Sequence, residues 1–139
     1  MILVDTNVIS ERMRPKPNEK VLKWFRATRR AELYTSTITV AELRAGASVL
    51  PQGRRRAELE SVIDDVIAVY FRYSVLPFDM PSAESFATVI EQRREAGRPI
   101  EMADALIAAV CISQNAPLAT RNTKDFDGLG ITLINPWEY

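Results

Sequence analysis

The sequence predicts an α/β fold, a central, mainly parallel sheet of about five strands flanked by helices. Three observations carry this. The chain opens on Ile2-Leu3-Val4, which leaves no residue for a solvated face, the mark of a strand covered on both sides. Short apolar strands then alternate with helical segments over the whole length, without repeat, linker or low-complexity stretch. Finally, Glu101 to Gln114 is apolar nearly all round (Met102, Ala105, Leu106, Ile107, Ala108, Val110, Ile112), as expected of a central buried helix. At 139 residues, one domain burying about two thirds of its unfolded surface is expected.

The elements follow in order. The first strand ends at Asp5, where the carboxyl end of a parallel strand places ligands in open α/β sheets. Arg12 to Pro17 is a basic, proline-broken loop, predicted to set Arg12, Arg14 and Lys16 beside Asp5. Asn18 caps a helix to about Arg30, with Val21, Leu22 and Phe25 on its apolar face. Leu33 to Ser36 is the second strand. Thr39-Val40-Ala41-Glu42 opens a helix that carries Leu43, Ala47 and Leu50 and stops near Pro51 and Gly53. The helix beginning at Arg54, Arg55 and Arg56 bears Leu59, Val62, Ile63, Val66, Ile67 and Tyr70 at three- and four-residue spacing. With Val49 and Leu50, that stripe exceeds what a small sheet covers and predicts a homodimer. Val75 to Phe78 is a strand, Pro81 to Ala96 a helix, and Gly97-Arg98-Pro99 a break. Strands at Pro117 to Thr120 and Ile131 to Ile134 close the chain, with a short helical turn at Asn122 to Phe126 between them.

Composition removes whole classes of chemistry. With no histidine there is no Ser-His-Asp or Cys-His site and no His-liganded zinc. An enzyme built from this chain must work with carboxylates, or with a metal that they hold. Oxygen ligands select hard cations, so Mg²⁺ or Mn²⁺ are the candidates. Lys and Arg number 18, as do Asp and Glu, so no global basic field draws the chain onto nucleic acid, and any such site must be local. The single cysteine, Cys111, the absence of a basic and apolar leader, and the lack of an apolar run of about 18 residues predict a soluble protein of a reducing cytoplasm, without a membrane segment.

Asp5, Glu42, Asp104 and the pair Asn122 and Asp125 each fall at the start of a helix after a strand or break. Each has an ordinary local explanation. Asp5 can cap the helix that follows it; Thr39 with Glu42 fits a capping box; Asp104 lies where the helix dipole favours an anion; Asn122 with Asp125 repeats cap and third position. Asp104 strains that explanation, because Ala103, Ala105, Leu106 and Ile107 surround it and no Lys or Arg lies one turn away. Acids from several strand ends converging on a cation would satisfy it. Arg12, Arg14, Arg121 and Lys124 flank the acids and are candidates for holding phosphate groups, the alternative for each being a solvated rim. Trp24, Phe25 and Trp137 are expected in the core or an interface, with no stacking platform for bases evident.

VDTNVIS at the start, TITVAEL around Glu42, PIEMADALIAA around Asp104 and LATRNTKDF near the end occur in the order and approximate spacing of PIN-domain ribonucleases. The chain resembles the VapC-type toxins of bacterial toxin–antitoxin pairs, and within them the FitB-like branch, including the closing INPW. The resemblance implies a PIN-like fold over 1–139 and a metal-dependent ribonuclease, with Asp5, Glu42 and Asp104 binding Mg²⁺ or Mn²⁺. The position that usually completes the acidic quartet falls at Asn122, which brings no charge; Asp125 is the residue placed to compensate. By the same resemblance Thr6 and Asn7 orient Asp5 and its waters, Thr120 shapes the rim, the toxin pairs with a second copy, and a small antitoxin lays its tail across the cleft.

Two other readings stay open on the sequence. A haloacid-dehalogenase-type hydrolase also begins with an apolar strand and Asp, but needs a second Asp two residues on, where this chain has Asn7. A PIN-like module that binds RNA or protein without cutting is made plausible by Asn122.

Overall fold

The computed structural model describes residues 1–139. Its strands are β1 (Ile2–Val4), β2 (Leu33–Ser36), β3 (Val75–Leu76), β4 (Leu118–Ala119) and β5 (Leu133–Ile134). They form one parallel sheet in the order β3-β2-β1-β4-β5, so β1 is central. The helices are α1 (Thr6–Met13), α2 (Glu19–Ala27), α3 (Thr37–Ser48), α4 (Arg54–Tyr70), α5 (Met80–Glu95) and α6 (Met102–Gln114).

The all-apolar start is explained by two cores, one on each face of the sheet. Side chains alternate along a strand, and here Val4 joins Val8, Val21, Phe25, Leu43 and Ile63 on one face while Leu3 joins Val89, Ile107, Val110 and Leu118 on the other. Both are without exposed surface. Each contributes the roughly 1.5–3 kcal/mol of a fully buried aliphatic side chain. α1 to α4 cover the first face and α5 and α6 the second. On α6 the alanines 105, 108 and 109 are buried with Ile107, Val110 and Cys111, which places that helix at the centre of its layer. Its first residue stands clear of the core, and Met102 is exposed rather than buried with Ala105 and Ile107.

Chain order reverses beside β1. From β1 the chain winds outward through β2 to β3, then returns through α5 and α6 to β4 on the other side. The carboxyl ends of β1 and β4 thus flank a switch point, where open α/β sheets leave a crevice.

Several expectations are corrected here. α1 runs to Met13 and takes Arg12 into the helix instead of the loop. α2 stops at Ala27, where the Thr28 amide and hydroxyl both donate to the Trp24 carbonyl, and Arg30–Glu32 is a separate 3-10 turn. The strands β3, β4 and β5 are two residues each, shorter than expected. The α4 stripe is partly covered by the chain itself. Ile63 is buried, and Leu59, Val66, Ile67 and Tyr70 pack against the first core as partly buried side chains. What stays exposed is Val69 on that helix and Val49 after α3. No helix is long and apolar enough to cross a membrane.

Candidate active site

Asp5 is both a cap and a member of the switch-point cleft. Its Oδ1 accepts from the Thr6 amide at 2.7 Å, and Oδ2 accepts from the Thr120 hydroxyl at 2.7 Å and from Asn7 Nδ2 at 3.0 Å. Asn7 also accepts from the Arg121 amide at 3.1 Å, and the Thr120 hydroxyl accepts from the Asn122 amide at 3.1 Å. The segment after β4 is thereby stitched to the start of α1 around one carboxylate. Burial raises the Asp5 pKa, with the Glu42 charge adding to it, while the bonds from Thr120, Thr6 and Asn7 oppose the rise.

Glu42 does not form the capping box. α3 begins at Thr37, and its cap is Ser36, whose hydroxyl accepts from the Thr39 amide at 3.1 Å. One turn further on, Glu42 Oε1 accepts from the Thr6 hydroxyl at 2.6 Å. Thr6 therefore bridges the two acids, its amide to Asp5 and its hydroxyl to Glu42.

Asp104 enters from the far layer, in the first turn of α6. The hydrogen bonds of the cleft go to Asp5 and Glu42 and none to Asp104. Partial burial first, then the charges of Asp5, Asp125, Glu42 and Glu101, push its pKa up to about 6. This acid registers the others electrostatically without touching them.

The cleft has a volume of about 480 Å³, and Asp5, Thr6, Asn7, Glu42, Asp104 and Asn122 all line it. Asn122 makes no side-chain cap to the turn that follows, so its amide is free at the lip. Of the four basic candidates, Arg14 and Arg121 line the cleft. Arg14 lies 3.3 Å from Glu11, and the Arg121 guanidinium sits 5.1 Å from the Trp137 ring centroid. Arg12 is elsewhere. Being helical, it points away from Ser10 and Arg14 and donates through Nε to the Tyr70 hydroxyl at 3.3 Å. Lys124 and Asp125 are exposed on the turn beyond Asn122 and do not line the cleft, although the Asp125 charge is felt at Asp104.

The structure adds Ser10, Glu11 and Trp137 to the lining. Glu11 is buried, accepting from the Asn18 amide at 2.8 Å, and so holds the loop after α1 against the cleft. A signal for it exists in the sequence: Asn7, Ser10, Glu11 and Arg14 fall at i, i+3, i+4 and i+7, one polar face of a helix. Trp137 has no comparable local signal, being brought there from the end of the chain.

The lining acids and Asn122 offer only oxygen ligands, the chemistry a hard divalent cation prefers. Asp104 lacks a protein donor, and the mutual repulsion of the acids is of the kind a cation relieves. As they stand, no three acids are close enough together to hold a metal ion. The donor chemistry fits such an ion, and the side chains in these positions do not close on one.

The PIN domain family matches residues 2–130. The plasmid stability protein StbB of Pseudomonas syringae pv. tomato is 45% identical over 138 residues, 99% of each chain. The VapC ribonuclease Y4jK of Sinorhizobium fredii is 40% identical over 138 residues, again 99% of each. Toxin FitB of Neisseria gonorrhoeae is 39% identical over 99% of each chain, and a chain of the crystal structure of FitAcB from that organism overlays with a TM-score of 0.91, both chains covered in full. With the family match spanning nearly all of it and relatives similar from end to end, the chain belongs to the PIN-domain family, in its VapC and FitB branch.

Proposed function

We propose that this chain is a ribonuclease that hydrolyses RNA phosphodiesters with Mg²⁺ or Mn²⁺, and that it is the toxin of a type II toxin–antitoxin pair. The observation that carries the reading is the switch-point cleft in which Asp5, Glu42 and Asp104 face one space from two sides of the sheet, in a chain 40% identical to a VapC ribonuclease.

Asp5, Glu42 and Asp104, with Asn122 at the lip, are the residues that would hold the cation. When bound, it supplies positive charge at the scissile phosphate and acidifies a water. The protein does the rest. Thr6, Asn7 and Thr120 fix the Asp5 carboxylate so that it needs no reorganisation during reaction. The Thr6 hydroxyl orients Glu42 through Oε1 and leaves Oε2 to the cleft. Asp104, which accepts no hydrogen bond from the protein, keeps its carboxylate oxygens available to the cation from the opposite layer. Arg14 and Arg121 at the rim supply guanidinium forks for phosphate oxygens. The excess of acid over base in the cleft also suits a basic side chain as a stopper, and an antitoxin tail carrying one is the partner we infer. A second copy of the chain is part of the same reading, with Val49 and Val69 the exposed apolar residues available to it.

The test is incubation of the purified protein with RNA in Mn²⁺ and in EDTA. Cleavage in the first and none in the second is the expected result. Absence of cleavage in every divalent metal would instead favour a module that binds without cutting, the reading supported by Asn122 and by acids that stand apart.

Asn122→Asp is expected to tighten Mn²⁺ binding by at least about tenfold, because a carboxylate sets a full negative charge against a divalent cation where the amide offers a neutral oxygen. Its side chain caps nothing, so the fold is unaffected. Unchanged or weaker affinity in calorimetric titration would remove Asn122 from the site.

A further inference from the structure

Arg12, Arg26, Arg30 and Tyr70 share a pocket of about 290 Å³ that belongs to no part of the acidic cleft. A neighbouring hollow of about 390 Å³ shares Arg30 and Tyr70 and adds Arg72 and Tyr73. Together they make a continuous surface of four arginines and three tyrosines, Tyr34 being the third. Two guanidinium groups approach the Tyr70 ring, Arg12 at 5.6 Å and Arg30 at 5.2 Å from its centroid, and Arg72 lies 5.2 Å from that of Tyr73. Tyr73 is 88% exposed.

This charge is unbalanced in a chain whose formal net charge is zero. The six ion pairs of the protein use Arg14, Arg29, Arg44, Arg54, Arg56 and Arg98, and none uses these four. Four guanidinium groups, three of them against tyrosine rings, without a carboxylate, form a surface for an anion, and arginine forks match phosphate oxygens. The tyrosines decide which polyanion. An acidic peptide would use the arginines and leave the open face of Tyr73 idle, whereas a single-stranded nucleic acid stacks its bases on tyrosine and arginine planes while its phosphates take the charge.

Position gives the surface its role. Arg30 opens the turn that leads into β2, and Arg72 and Tyr73 lie within three residues of the start of β3, so they mark the amino end of the sheet. The acidic cleft follows the carboxyl ends of β1 and β4. We propose that the arginine–tyrosine surface is a second RNA-binding site, which grips an unpaired segment of the substrate one sheet-length away from the bond to be cut. This rests on the ribonuclease reading for the identity of the RNA as substrate. It explains how a chain with no net charge and an acid-lined cleft retains a polyanion.

The test uses Arg30→Gln with Arg72→Gln, and separately Tyr73→Ala, whose exposure leaves the fold untouched. Binding of a fluorescent single-stranded RNA of about 20 nucleotides, longer than the roughly 4–16 that one single-strand site occupies, is followed by anisotropy in EDTA over a salt series. The double variant is expected to raise Kd at least tenfold and to reduce the slope of log K against log salt by roughly 1.4, about 0.7 for each phosphate left without its arginine. Tyr73→Ala is expected to raise Kd with no change of slope. In Mn²⁺, cleavage of the long RNA should slow at subsaturating substrate in both variants, while cleavage of a trinucleotide stays at the parent rate. Parental Kd and slope in both variants would overturn the proposal, as would an equal loss of affinity for a polyglutamate peptide, which would make this an acidic-protein surface. If the parent cuts no RNA but the variants still lose binding as described, the ribonuclease reading fails and the surface stands.

Discussion

Replacing Asp5 by asparagine is expected to reduce RNA cleavage in Mn²⁺ by a factor of at least about 10²–10³, the scale of losing one preorganised electrostatic interaction with a transition state. The exchange keeps the shape and removes the charge, so the site loses its best-positioned carboxylate without a cavity. Two opposed effects on stability accompany it. One carboxylate oxygen becomes an NH₂ group, which then faces a neighbouring donor, the Thr6 amide on one side or Asn7 Nδ2 on the other; such a mismatch costs about 1–3 kcal/mol. Against this, the variant no longer carries a buried charge, and Asp104 loses the foremost of the charges that repel it. The melting temperature should therefore move little compared with the activity. In an NMR titration the Asp104 pKa should fall toward the ordinary carboxylate range. Cleavage within tenfold of the parent would exclude Asp5 from the reaction, and an unmoved Asp104 titration would show that the two acids do not share a field.

What the sequence made legible was whatever local pattern decides. Leu3 and Val4 announced a strand with a core on each face. Leu33–Ser36 was bounded correctly and the start of the long helix was placed at Arg54, because an apolar–polar switch in one and helical spacing in the other are written within a few residues. Asp5 and Asp104 were legible from their place at helix starts, whereas Glu42 lies a turn inside α3 and was singled out by a start that the structure moves.

The failures have physical causes. Ser36 ends a strand and caps a helix at once, so the helix starts earlier than the Thr39 and Glu42 pair suggests, and a chance match to the capping pattern hid the bond from Thr6. Arg12 was assigned to the cleft from its neighbours in sequence, but in a helix two residues are 200° apart on the axis, and Arg12 belongs to Tyr70. Trp137 and the arginine–tyrosine surface are assembled from segments far apart in the chain, and no window along the sequence contains them.

Asp104→Asn separates a helix-start acid from a member of a charge cluster by the sign of its effect on stability. The Asp104 pKa is raised from 3.8 to about 6, so the folded protein binds this proton more tightly than the unfolded chain does. Stability on this account falls as pH rises from about 4 to about 6, and the whole penalty is present at pH 7. A rise of this size corresponds to at most about 3 kcal/mol, and since the group is only half-buried, solvent screening brings the expectation to about 1–2 kcal/mol. In EDTA at pH 7 the asparagine variant should therefore melt several degrees higher than the parent, and the gain should vanish below pH 4. If Asp104 serves only the dipole of α6, the same change should lower stability by roughly 0.3–1 kcal/mol at pH 7. Metal adds a second, independent reading. Mn²⁺ should raise the melting temperature of the parent by mass action and do much less for the variant, whose cleavage should fall to background. A variant that melts lower in EDTA at pH 7, gains as much from Mn²⁺ as the parent and still cuts RNA would leave Asp104 with no part in the site.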